Sequence, residues 1–324
     1  MKEKPCIRIG HLKIVDHLLL GLAGSGLETG KFYLDHCSLD PIVMHSWEHV
    51  REALISKHID AAFMTAPLAM DLFASGLDIR LLMFTHRSGS TLVKKAGASI
   101  KTIADFKGKT VLVPSELSIQ NMLLHRLLST ASLKLGAHDD STADVFYEVT
   151  QPFLMSDMLA EDTDNDIAGF VVAEPYAGRA VFDGVAQKVC ASKNLWNNHP
   201  CCSFVIHASV LENYTRAITE LIHLFLHIAE DLEHPDKGDV LLDAQKFLCQ
   251  KEQIIEDVLL NQSIRFDPAL LVPDVSALNS IADYMKNSMN FLSDKVDMEK
   301  FVDDTIILNA TKLNSTITNT TPGN

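Results

Sequence analysis

The sequence predicts an α/β fold built as two similar lobes, and three observations carry that prediction. First, a short apolar strand that runs into a proline occurs twice. Asp60-Ala61-Ala62-Phe63-Met64-Thr65-Ala66-Pro67 is followed about a hundred residues later by Asp166-Ile167-Ala168-Gly169-Phe170-Val171-Val172-Ala173-Glu174-Pro175. Proline has no N–H to continue a ladder, so each run ends there, and a small-residue helical stretch follows each time. Two related units imply two lobes, and the cleft between lobes is a natural ligand site. Second, short strands alternate with helical patterns through the first two thirds of the chain, the signature of mostly parallel sheets flanked by helices. Third, from about Glu212 long amphipathic segments take over at 212–233, 238–262 and 273–293. They read as a helical C-terminal part packed on the first lobe.

Residues 7–10 form the first expected strand, and an apolar helical stretch follows around Leu18–Leu22. Trp47, Val50, Ala53 and Leu54 recur at helical spacing over 47–56. Residues 59–65 are a buried strand, Leu68–Phe73 begin a helix ending near Gly76, and Ile79–Phe84 form the next strand. A short helix before Gly108 leads to the strand Thr110–Val113. Ser115–Ser118 supply capping residues for a helix over Ile119–Leu128. Val145–Val149 is a further strand and 152–160 a short helix. The stretch after Lys312 is polar and poor in apolar residues, so it is expected to be unstructured.

Composition narrows the function. The 324 residues suffice for one large or two ordinary domains, and 47% hydrophobic with 22% charged residues is a globular balance. A formal charge of −14 with no basic stripe argues against nucleic acid as a partner. Cys6, Cys37, Cys190, Cys201, Cys202 and Cys249 show no CxxC spacing, so no zinc knuckle is expected and the thiols read as core residues. His45 and His49 stand at i, i+4, but no nearby carboxylate–histidine motif supports a metal centre. The N-terminus has no apolar signal core. That pattern fits a cytoplasmic chain or one from which a leader was removed.

Several residues stand where an α/β fold places ligands, beyond the C-terminal ends of strands. Asp16 and His17 follow the first strand, where Asp16 could bind or merely cap a helix. His86, Arg87, Gly89 and Ser90 lie where the first lobe passes to the second. Arg87 reads either as a bidentate anion holder or as a surface residue on an exposed hinge strand. Ser115, Ser118, Gln120 and Asn121 surround a helix N-terminus, which favours negative groups but is equally an ordinary capping turn. Glu174 could accept from a ligand or pin the strand end through Arg179.

A series of short motifs then points to a family. In order they are Ile9-Gly10 with Asp16-His17, Ser46-Trp47, Ile59-Asp60-Ala61-Ala62 through Ala66-Pro67-Leu68-Ala69, and His86-Arg87-Ser88-Gly89-Ser90. Phe106-Lys107-Gly108-Lys109, Pro114, Asn121-Met122-Leu123-Leu124, Glu174-Pro175, and Leu195-Trp196 through His199-Pro200-Cys201-Cys202 complete the series. Over roughly residues 7–210 the chain resembles the substrate-binding proteins of nitrate/sulfonate/taurine-type ABC transporters, of the type 2 periplasmic-binding-protein superfamily.

The resemblance implies a two-lobed periplasmic-binding-protein-like fold that closes like a hinge on a small polar solute, anionic or heteroaromatic. It implies delivery to a membrane permease, a monomer outside the cytoplasm, no catalysis, no cofactor and no metal. It places Trp47, Pro67 and Cys201 at the cleft with the residues named above. It also implies a discontinuous first lobe, 5–86 with 204–300, a second lobe over 87–203, and a C-terminal extension over 301–324. Gln120-Asn121 stands where nitrate and bicarbonate members carry a His-Asn pair, and their long insertion is lacking, so the resemblance supports the transporter class rather than those two anions. A rival in the same fold is the cytoplasmic thiamine-pyrimidine synthases, which use a lysine-bound pyridoxal phosphate and a cysteine-rich iron motif. The run His199–Phe204 matches that motif only in part, and no lysine has the matching context. A cytoplasmic ligand sensor is a third reading.

Overall fold

The computed structural model describes residues 4–234, 238–260, 264–292 and 294–318. Its strands, in chain order, are β1 (Cys6–His11), β2 (Ser38–Val43), β3 (Ala61–Thr65), β4 (Ile79–Phe84), β5 (Arg87–Ser88), β6 (Ser90–Lys95), β7 (Thr110–Val113), β8 (Leu135–Gly136), β9 (Val145–Val149), β10 (Ile167–Ala173), β11 (Ala186–Ala191), β12 (Cys202–His207) and β13 (Ile264–Arg265). They form two large sheets, in the orders β2-β1-β3-β12-β4 and β11-β6-β10-β7-β9-β8, and a small pair β13-β5.

Parallel pairs build one side of each sheet: β1 with β2 and β3, and β7 with β9 and β10. The antiparallel strands are those that carry the chain between sheets. β6 enters the second sheet antiparallel to β10 and β11, and β12 returns to insert between β3 and β4. The expected parallel sheets are therefore mixed where the crossovers join them. Sequence reading passed over β2, whose Pro41 argues against a central strand. It lies at the sheet edge, where a missing N–H is tolerated.

The repeated strand-proline runs are β3 and β10, each buried along most of its length. Helix α1 (Leu18–Glu28) follows β1, α2 (Trp47–Ile55) is capped by Ser46, and α3 (Ala66–Ala74) by Thr65 with Pro67 in its first turn. In the second sheet strand alternation splits the core. Val111, Val113 and Val171 face α4 (Ile119–Ser129), while Leu112, Phe170 and Val172 face α5 (Met155–Glu161) and α6 (Tyr176–Phe182).

The C-terminal part is helical as expected. The helix Thr215–Glu233 buries Phe225 against Phe63 and Phe204 of the first sheet, with ring centroids 5.3 and 5.7 Å away. The segment 238–262 is two helices, Gly238–Leu248 and Glu252–Leu260, broken at Cys249 with φ 52°. The end of the chain departs from expectation. A helix over Thr305–Thr318 runs into the stretch read as unstructured, anchored by Ile307 and Ala310 in the first-sheet core. Residues 319–324 lie outside the described residues. No helix among the described residues is long and apolar enough to cross a membrane.

Candidate functional site

Two segments pass between the large sheets, 85–89 outward and 199–201 on the return, and they run side by side. Thr85 N donates to the Cys202 carbonyl at 3.1 Å and Ser88 N to the His199 carbonyl at 3.0 Å. The short helical turn after β1 lies against them and delivers Asp16, which is fully buried. His86 Nε2 lies 3.1 Å from Asp16 Oδ2, and the Cys201 and Cys202 thiols donate to the same oxygen at 3.6 and 3.7 Å. Burial opposes a charged imidazole, but the Asp16 carboxylate outweighs it and lifts His86 to about 10. The hydrogen bond from Cys202 lowers the Cys201 thiol, whereas burial drives Cys202 up. Asp16 Oδ1 and His86 Nδ1 have no hydrogen-bond partner.

Other predicted residues gather around this cluster. Gln120, near the start of α4, reaches Ser90 Oγ at 2.9 Å and Cys201 Sγ at 3.5 Å with its amide nitrogen, and its Oε1 is left without a partner. Gly89 has φ +95°, and a Cβ there would meet Asp16 Oδ1 at 3.2 Å, so only glycine lets the carboxylate approach so closely. His17 accepts from Leu12 N at 3.0 Å and sits edge-on to Trp47, with ring centroids 5.8 Å apart. Burial holds His17 neutral. Trp47 and Pro67 are both buried, each in the first turn of its helix.

Five of the predicted residues have partners within the protein itself. Arg87 is buried rather than exposed on a hinge strand. Its Nε donates to the Leu270 carbonyl at 2.5 Å, its other nitrogens reach the carbonyls of Val272 and Asn198, and the guanidinium lies 4.3 Å from the Phe84 ring centre. It fastens the crossover to the helical C-terminal part. Ser118 caps α4 by accepting from Asn121 N, and Ser115 accepts from Leu117 N, which is the plain capping turn. Glu174 does not pair with Arg179, which instead faces Asp183. It is buried and accepts from Gly178 N at 2.8 Å inside α6. Asn121 points away from the cluster, donates to the Glu116 carbonyl and lines a separate pocket of about 240 Å³ with His125 and Tyr147.

A cleft between the lobes was expected, but the residues lining the accessible cavity between the sheets were not. It measures about 520 Å³ and is lined by Leu12, Lys13, Ile14, Val43, Met44 and His45 from the first sheet's strand ends and by Pro152, Phe153 and Tyr176 from the second's. Hydrogen bonds that join the two sides include Val15 N to the Glu174 carbonyl, Tyr176 Oη to the Lys13 carbonyl, and Thr65 Oγ1 to the Leu117 carbonyl. These lining residues sit in loops without a local motif. Their position just past strand ends was the one available signal.

Two sheets joined by a pair of crossing strands, with a cavity at the strand ends, define the two-lobed α/β class of periplasmic binding proteins. The chain belongs to the NMT1-like family, whose profile matches residues 1–239. It is 29% identical over 216 residues, 61% of its length, to the nitrate import ATP-binding protein NrtC of Synechocystis sp. strain PCC 6803, and it covers 30% of that protein. The chain thus spans under a third of that curated relative. Among solved structures it is similar to the periplasmic nitrate-binding protein NrtA from Synechocystis PCC 6803 (TM-score 0.81, 16% identity, 99% of this chain and 92% of that one). It is also similar to a zinc-bound ligand-binding component of an ABC-type import system from Staphylococcus aureus (TM-score 0.81, 18% identity, 95% and 99%). A third is the alkanesulfonate-binding protein SsuA from Xanthomonas axonopodis pv. citri bound to MOPS (TM-score 0.75, 16% identity, 94% and 99%). At such identities these structures speak for the fold.

Proposed function

We propose that the chain is the solute-binding component of an ABC importer, acting outside the cytoplasm as a monomer and without catalysis. The carrying observation is the 520 Å³ cavity, whose walls come from the strand ends of both sheets. A solute there touches both lobes, so its binding energy favours the closed arrangement. In this reading the first lobe comprises 5–86 with 204–300, the second 87–203, and the strand membership of the two sheets supports that division. Family membership and the likeness to the nitrate import protein NrtC and the nitrate-binding protein NrtA support the importer assignment.

The lining chemistry favours a heteroaromatic solute. Leu12, Met44, Phe153 and Tyr176 offer apolar and aromatic surface, and Lys13, whose Nζ donates to Cys249 Sγ at 3.4 Å, adds a positive charge at the wall. Arg87, the residue best suited to grip a bare inorganic anion, is occupied elsewhere. A thermal-shift panel of pyrimidines, taurine, alkanesulfonates, nitrate and bicarbonate tests this. A true ligand at a hundredfold excess over Kd stabilises by about 2.7 kcal/mol. Pyrimidines should give the largest shift, accompanied by a smaller radius of gyration in X-ray scattering. Shifts confined to nitrate or bicarbonate would overturn the solute class, and a flat panel together with a featureless native mass spectrum would count against the binding role.

A further inference from the structure

We propose that Asp16, His86, Cys201 and Cys202 form a binding site for a thiophilic divalent cation of the zinc type, seated on the two segments that connect the lobes. The site goes beyond the solute-binding reading and does not depend on which solute the crevice takes.

Geometry carries the inference. One ligand atom from each of the four residues lies within 4.8 Å of all the others, and all four residues are buried. Zinc bonds of about 2.0–2.3 Å to oxygen, nitrogen and sulfur imply tetrahedron edges of roughly 3.3–3.8 Å. The contacts from Asp16 Oδ2 to the two sulfurs, 3.6 and 3.7 Å, fall on those edges, and the 3.1 Å to His86 Nε2 needs only a slight opening. The donor set is two sulfurs, one imidazole and one carboxylate. Its softness selects zinc-like ions over magnesium or calcium, which require oxygen shells.

Two further features fit an ion at this place. The Asp16 carboxylate is wholly enclosed while its Oδ1 has no partner, a costly arrangement that native structures rarely leave unexplained. Gly89 at φ +95° opens the space in which that carboxylate lies. The placement gives the ion a role. Asp16 comes from the first lobe, His86 from the outgoing segment, Cys201 from the returning one and Cys202 from the start of β12, so one ion would tie both connecting segments to the first sheet. Binding requires the thiols and the His86 imidazole to give up protons, so affinity should rise with pH.

The test uses the full chain, reduced and stripped with chelator, titrated with Co²⁺ alone. The expected result is saturation at one equivalent, with visible bands of tetrahedral cobalt, near-ultraviolet thiolate charge transfer, and displacement by Zn²⁺. Cys201→Ser and Cys202→Ser should each weaken affinity by more than the roughly 10–100-fold that loss of an outer partner costs, and should each diminish the charge-transfer band. Should either variant fail to fold, X-ray absorption on zinc-loaded wild type decides. Two sulfur and two nitrogen or oxygen neighbours support the site, and a shell without sulfur overturns it. Absence of thiolate bands with free thiols verified in denaturant also overturns it, as does an unchanged spectrum in both serine variants.

Discussion

The crossover cluster and the crevice between the strand ends lie near each other but obey opposite rules. The cluster around Asp16, His86 and Cys201 is polar and sealed, and it keeps buried atoms without partners. The crevice is open and mainly apolar, and its polar members, Lys13, His45 and Tyr176, stand among carbons. The contrast separates the polar residues of the predicted cleft from the accessible surface. In this chain they hold the connecting strands, and less conspicuous loop residues form the accessible surface.

Variants can break that division if it is wrong. The largest effect is expected for Arg87→Met. It leaves the Leu270, Val272 and Asn198 carbonyls without their charged donor, and at the low end of 1.5–3 kcal/mol per such bond, two of the three being long, the loss should be about 5 kcal/mol in urea unfolding. A loss under about 1 kcal/mol would return Arg87 to the ligand-binding group.

His11 supplies a pH test of the wall behind the crevice. Its ring is buried and stacked on Phe247. Burial lowers its pKa to about 4 from 6.5, with Lys13 adding to the shift and the Leu12 carbonyl opposing it. The unfolded chain then binds the extra proton more readily, so stability rises with pH. The His11 contribution is complete above 6.5 and lost as pH falls through about 4. His11→Gln should flatten this acid limb by up to about 3 kcal/mol at its foot. An acid limb as steep as that of the wild type would remove His11 from the account.

Gly89→Ala sharpens the cluster side. At φ +95° a new Cβ would meet Ile264 Cδ1 at 2.8 Å, so a loss of about 2 kcal/mol is expected from equilibrium unfolding. Tyr176→Phe removes one bond between the lobes and should cost about 1 kcal/mol, with a larger radius of gyration in the unliganded protein. Phe153→Ala, at an exposed crevice position, should change stability by less than about 0.5 kcal/mol while weakening solute binding. Equal stability losses at Phe153 and Arg87 would erase the distinction between the two regions.

Local pattern was enough for most elements. Ile79–Phe84, Thr110–Val113 and Val145–Val149 match their strands residue for residue, because buried apolar runs bounded by turns leave little else for the backbone to do. The capping serine at 118 marked a helix start for the same local reason. Pro41 hid β2, since an edge position is a property of the sheet and not of the strand's own residues.

The sequence by itself determined the α/β class, the repeated strand-proline unit and the set of residues near the lobe connections, all of which depend on neighbours a few residues apart. Only the tertiary structure decided what those residues do. Asp16, His86 and Cys201 converge from positions 70 and 115 residues apart along the chain. Arg87 finds its carbonyl partners more than 180 residues later in the chain, at Leu270 and Val272. Such pairings follow from how sheets twist and crossovers pack, and side-chain duty is set by whichever partners burial brings within bonding distance.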